Sequence, residues 1–108
     1  MYIGKVVGTV VSTVKDPKVV SLTLQIVQEL DEHNAPRDKY VVAADTVGAG
    51  QGDLVLFAQG SSARQTTLTE GRPIDAAIFA VIDSWDVDGK LVYQKEGLEA
   101  IGANPKED

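Results

Sequence analysis

The sequence predicts an all-β fold: a small five-stranded barrel with one short helical turn between its fourth and fifth strands. Three observations predict it. Apolar and polar residues alternate with period two through most of the chain, as they do in half-buried strands. Turn signals punctuate these stretches at short intervals, among them Asp16-Pro17, the polar run Asp31 to Asp38, and Asp88-Gly89. Two glycines, Gly4 and Gly8, interrupt the first strand, where a strand serving both sides of a small barrel must bend sharply.

The elements follow in order. Tyr2 to Lys15 is rich in valine and threonine and reads as a long first strand. Asp16-Pro17 breaks it. Leu22 to Leu30 is the second strand, with Leu22, Leu24 and Ile26 on one face and Thr23, Gln25 and Val27 on the other. Tyr40 to Val47 is the third and Leu54 to Ala58 the fourth. Between the fourth and fifth strands, Gly60 to Pro73 is an irregular connection, in which Ser61 or Ser62 is expected to cap a single helical turn through Ala63 and Arg64. Ala76 to Val87 reads as a fifth strand, and Leu91 to Gln94 returns from Asp88-Gly89 as a short edge strand. Five short strands in 108 residues favour one domain, an OB-like barrel over residues 1–94, with a small, polar and charged tail over 95–108.

Composition narrows the function. With no cysteine, disulfides, thiolate metal sites and cysteine nucleophiles are excluded. Formal net charge is −6, and the ten basic residues are scattered without a run. A free-standing nucleic-acid binder usually carries a basic patch or stripe. The N-terminus lacks the basic segment of a signal peptide, and no apolar run approaches the length of a membrane span, so a cytoplasmic protein without membrane or nucleic-acid partners is expected.

The candidate sites for chemistry are weak. The stretch VGAGQGDLVLF spaces Gly48, Gly50 and Gly52 as G-x-G-x-G, and a strand follows. A dinucleotide fingerprint needs G-x-G-x-x-G before a helix, and a P-loop needs Gly-Lys-Ser/Thr where Gly52-Asp53 stands. These glycines read instead as a tight turn with positive φ and close backbone approach. His33 lies in a polar turn and reads as solvent-exposed. Asp45, Asp53, Asp75 and Asp83 read as turn caps or partners of Arg64 or Arg72 rather than an acid–base pair. Trp85 stands among Asp83, Asp86 and Asp88, a poor setting for stacking a phosphate-bearing strand, so core packing or a contact between copies is expected of it. No catalytic, cofactor-binding or metal site is expected. What remains distinctive is the small, glycine- and alanine-rich character of Val47 to Gly52, Gly60 to Arg64 and Asp75 to Ala80, which suits an assembly role.

Three segments in order, IGKVVGTVVSTVKDP, VAADTVGAGQGDLVLFAQGSSAR and RPIDAAIFAVID, resemble the vertex shell proteins of bacterial microcompartments, the pentameric family of carboxysomes and of ethanolamine- and propanediol-type compartments. The likeness runs from about Met1 to Val87. It implies an OB-like barrel that assembles as a cyclic homopentamer and caps the five-fold vertices of a polyhedral shell tiled by hexameric shell proteins. The family motif falls on Gly4, Gly8, Lys15, Asp45, Gly48, Ala49, Gly50, Gly52, Gly60, Ser61, Ser62, Ala63, Arg64, Pro73, Asp75, Ala76 and Ala77. Those from Asp45 onward, Pro73 aside, are the expected assembly residues, with Arg64 and its serines near a subunit contact. One departure stands out. After KDPKVV the resemblance leads one to expect glycine and then lysine, at the places taken by Ser21 and Thr23. If that glycine permits a special turn, Ser21 must reach it at a cost or the loop differs. The alternative function is an OB-fold module for single-stranded nucleic acid, which salt-dependent oligonucleotide binding would reveal.

Overall fold

The computed structural model describes residues 1–13 and 15–96. Among these described residues seven strands form: β1 (Tyr2–Val10), β2 (Thr23–Leu30), β3 (Pro36–Asp45), β4 (Leu54–Gln59), β5 (Ala76–Val81), β6 (Ser84–Val87) and β7 (Lys90–Gln94). The first five close into a barrel in the order β1-β2-β3-β5-β4, and β6 and β7 form a separate two-stranded sheet. This is the expected OB-like architecture.

β1 serves both sides of the closure, pairing antiparallel with β2 and with β4. Its glycines make this possible in two different ways. A Cβ on Gly4 would stand 2.4 Å from Val27 Cγ1 and 2.8 Å from Phe57 Cε1, so only glycine lets the strand pass that close to the core. Gly8 follows a register shift after Val6, where a bulge adds bend and twist. Inside lie Val6, Val27, Ala43, Val55, Phe57 and Ile78, all nearly inaccessible to solvent. A smaller cluster of Leu22, Ala44, Ala63, Ile74 and Ala77 closes the β5 side.

Several expectations need correction. The first strand stops at Val10, where its ladder with β2 ends at Leu24, and Val11 is 85% exposed. The valine–threonine alternation alone cannot reveal where pairing with the neighbouring strand ends. The predicted fifth strand is two strands. Ile82 donates its N–H to the Leu54 carbonyl, the Asp83 carbonyl accepts from Lys95 N, and from Ser84 onward the chain pairs with β7 instead of the barrel. The short helical turn is 3-10 (Gly60–Arg64), but neither serine caps it: Gln59 occupies the N-cap position without a side-chain hydrogen bond. Asp88 (φ 53) and Gly89 (φ 77) make the expected hairpin turn, both with positive φ. The tail falls outside the described residues from position 97 onward.

The departure at Ser21 has the anticipated consequence. Ser21 sits at φ 74, a conformation that favours glycine. Just before it, Asp16 Oδ1 accepts from Lys18 N and caps the 3-10 turn Pro17–Val19.

Candidate assembly surface

The glycine stretch after β3 is a turn held by two carboxylates. Asp45 Oδ1 accepts from the amides of Val47 and Gly48 at 3.0 Å each, and Asp53 Oδ2 accepts from Gly50 N at 2.8 Å. Gly48 (φ 77) and Gly52 (φ 88) supply the left-handed backbone, and a Cβ on either would meet only open space. Their role in this chain is conformational rather than steric. No helix N-terminus follows, so no phosphate cradle forms here. Gly52 N and Val6 N complete the tie by bonding Val6 O and Asp53 O across to β1.

The turn is also anchored from inside. Buried Gln25 donates through Nε2 to the Ala49 carbonyl (3.0 Å) and to Asp45 Oδ2 (3.3 Å), while Thr9 Oγ1 donates to Gln25 Oε1 (2.9 Å). Ala49 is itself buried in the main core with Ala76. The other small-residue segments meet nearby. Gly60 N donates to the Asp75 carbonyl, fully buried Ala63 packs with Ala77 and Ile74, and Arg64 Nη1 donates to the Ile74 carbonyl at 2.9 Å. The structure therefore unites Ala49 with Ala76, and Gly60, Ala63 and Arg64 with the start of β5. Ser61 and Ser62 lie exposed on the outer surface of that turn. None of Asp45, Asp53, Asp75 and Asp83 forms an ion pair with Arg64 or Arg72 among the described residues; Arg64 bonds backbone instead.

His33 is exposed, and its turn is organised by Asp31, whose Oδ1 accepts from His33 N and Ala35 N. The Ala35 amide, then the His33 amide, hold the Asp31 carboxyl below its ordinary value. Trp85 packs against Tyr93 (centroids 5.5 Å apart) beside Leu30, Leu54 and Ile82, and its Nε1 donates to the Glu32 carbonyl at 2.8 Å. It is a packing residue that fastens the β6–β7 hairpin to the β2–β3 turn.

Sequence reasoning missed the outer face of the barrel. The ladders align Lys5, Gln28 and Tyr40 in one outward row, Gly8, Ile26 and Val42 in the next, and Val10, Leu24 and Ala44 in a third. β2 is inverted relative to an ordinary half-buried strand. Its inward positions are core Val27 with polar Gln25 and Glu29, and its outward ones include apolar Leu24 and Ile26 beside Gln28. The largely buried Glu29 carboxylate pairs with Lys39 (3.5 Å) and Arg37 (3.8 Å). The alternation was visible; which phase faced inward was not.

Comparison with known proteins places this geometry. Residues 1–83 match the family model described as ethanolamine utilisation protein EutN/carboxysome. The chain belongs to this EutN/carboxysome family. It is 46% identical to the carboxysome shell vertex protein CcmL of Gloeobacter violaceus over 89% of this chain and 96% of that protein. The solved structure of that CcmL superposes with a TM-score of 0.85, covering 89% of this chain and 99% of the other. The GrpN pentameric microcompartment shell protein from Rhodospirillum rubrum is 42% identical, with a TM-score of 0.74 over 81% of this chain and 99% of that one. The shell vertex protein EutN of Salmonella typhimurium is 35% identical over 88% of this chain and 96% of its own length.

Proposed function

We propose that this chain is a structural shell protein, five copies of which close into a ring that caps a vertex of a polyhedral bacterial microcompartment in the cytoplasm. The observation that carries this is its likeness, over four-fifths or more of its length, to relatives named as shell vertex proteins and to a shell protein described as pentameric. Five-fold closure requires a contact between two different patches of neighbouring copies, repeated around the ring. The chain does no chemistry of its own in this role. Its neighbours in the shell are hexameric shell proteins, whose flat sheets need a five-fold unit to turn a corner.

The residues Asp45, Gly48, Ala49, Gly50 and Gly52, with Gly60 to Arg64 and Asp75 to Ala77, act by fixing the shape of one end of the barrel. Ala49, Ala63, Ala76 and Ala77 do so from the interior, and exposed Ser61 and Ser62 lie near a contact between copies. Native mass spectrometry tests the proposal. Five chains of 11.5 kDa give a species of about 58 kDa. A chain that remains monomeric at high concentration overturns it.

A further inference from the structure

The outward face of β2 and β3 is apolar where an isolated antiparallel sheet would be polar. Val42 is 50% exposed and Tyr40 is 55% exposed, and both stand beside half-buried Leu24 and Ile26. Ile26 is also the nearest neighbour of side-chain-free Gly8, with its Cδ1 3.3 Å from where a Cβ would stand, which flattens the surface. On the β5 side the face ends in an open groove of about 200 Å³, walled by Leu24, Val42, Ala44, Pro73, Ile74, Asp75 and Ala76. A groove of that size accepts one large apolar side chain, the way interface anchors are usually seated.

We infer that this face is the contact by which one copy of the chain receives the next in the ring, with Val42 at its centre. The inference rests on the pentameric reading above. Three observations select a second copy as the occupant. A relative at 42% identity, covering 81% of this chain, is described as a pentamer, so self-association occurs among the relatives of this chain. The inversion of β2, with Gln25 and Glu29 inward and Leu24 and Ile26 outward, leaves apolar surface that a monomer has no use for. Charge points the same way. At a net charge of −6, copies of this chain repel one another in general. The three outward rows carry no carboxylate and one charged residue, Lys5; the one carboxylate in the groove beyond them is Asp75. A contact between like-charged copies is least costly on such a face.

The chain has no cysteine of its own, so a Val42→Cys variant carries a single reporter thiol. Its reaction with a maleimide is followed by mass, in the native assembly and in the urea-unfolded chain. The expected result is a pentamer whose thiol reacts at least about tenfold more slowly than the unfolded chain's. A Val42→Lys variant is expected to keep the barrel's circular dichroism and to lose the pentamer in native mass spectrometry. An intact pentamer of the Val42→Cys variant whose thiol reacts freely, or a Val42→Lys chain that still forms the ring, overturns this face while leaving the pentameric reading in place. A wild-type chain that is monomeric overturns both, and the two failures are told apart by the wild-type spectrum alone.

Discussion

Gln25 Nε2 lies 3.0 Å from the Ala49 carbonyl and joins the second strand to the glycine turn through the interior of the barrel. A buried amide with three partners stabilises the fold chiefly because removing it strands the groups it satisfied. Replacing Gln25 by alanine leaves the Ala49 carbonyl and the Thr9 hydroxyl without their partner. The expected loss is about 2–3 kcal/mol of unfolding free energy. Urea denaturation, read at constant slope, checks it.

The glycines of β1 and of the turn after β3 should respond differently to the same substitution. Gly4→Ala drives a methyl group to 2.4 Å from Val27 Cγ1 and is expected to cost about 3 kcal/mol through overpacking. Gly48→Ala meets open space but must hold φ 77, with an expected cost of about 1 kcal/mol. Paired thermal melts of the two variants test the ranking. Equal losses would contradict the division between close approach at Gly4 and backbone conformation at Gly48.

Ser21→Gly should stabilise the chain. Relief of a serine held at φ 74 outweighs the added freedom of glycine in the unfolded state, for a net gain of about 0.5 kcal/mol. A rise in the urea midpoint is the expected reading, and a fall would show that Ser21 makes a compensating contact.

Asp31 makes the β2–β3 turn sensitive to acid. The amides of Ala35 and His33 favour its ionised form in the folded chain and lower its pKa. A depressed folded value gives stability that is fully present above the unfolded pKa and is lost as pH falls through the folded one. Stability measured from neutral pH downward should therefore decline below about pH 4 in the wild type. In an Asp31→Asn variant that part of the decline should disappear.

Much of the fold was legible in the sequence because its strongest signals are local. Period-two alternation located β2, β3 and β4 to within a few residues, Asp88-Gly89 located a hairpin, and Gly4 and Gly8 marked a strand that bends. The losses were non-local. The end of β1 depends on where its pairing with β2 ends, and the break after Val81 depends on the Leu54 carbonyl and on β7. The site was less legible for a related reason. Small residues mark Ala49, Ala63 and Ala76, but their meeting is a product of barrel closure. At β2 the alternation left the inward phase open, since Val27 shares one face with Gln25 and Glu29 while Leu24 and Ile26 share the other. Hydrophobicity alone would have turned the strand inside out.

The order in which the strands close has a kinetic consequence. β3 meets β5 through Ala44 and Ala77, across an intervening segment that contains all of β4. Pairings this distant along the chain are slow to form, because the loop entropy is lost before any rung is gained. Until β5 docks, β4 and the Ala44–Asp45 end of β3 present bare amides and carbonyls to any other nascent chain. In a cell that makes many copies at once, the interval between release of the fourth strand and capture of the fifth is when a chain is most exposed to pairing with the wrong neighbour.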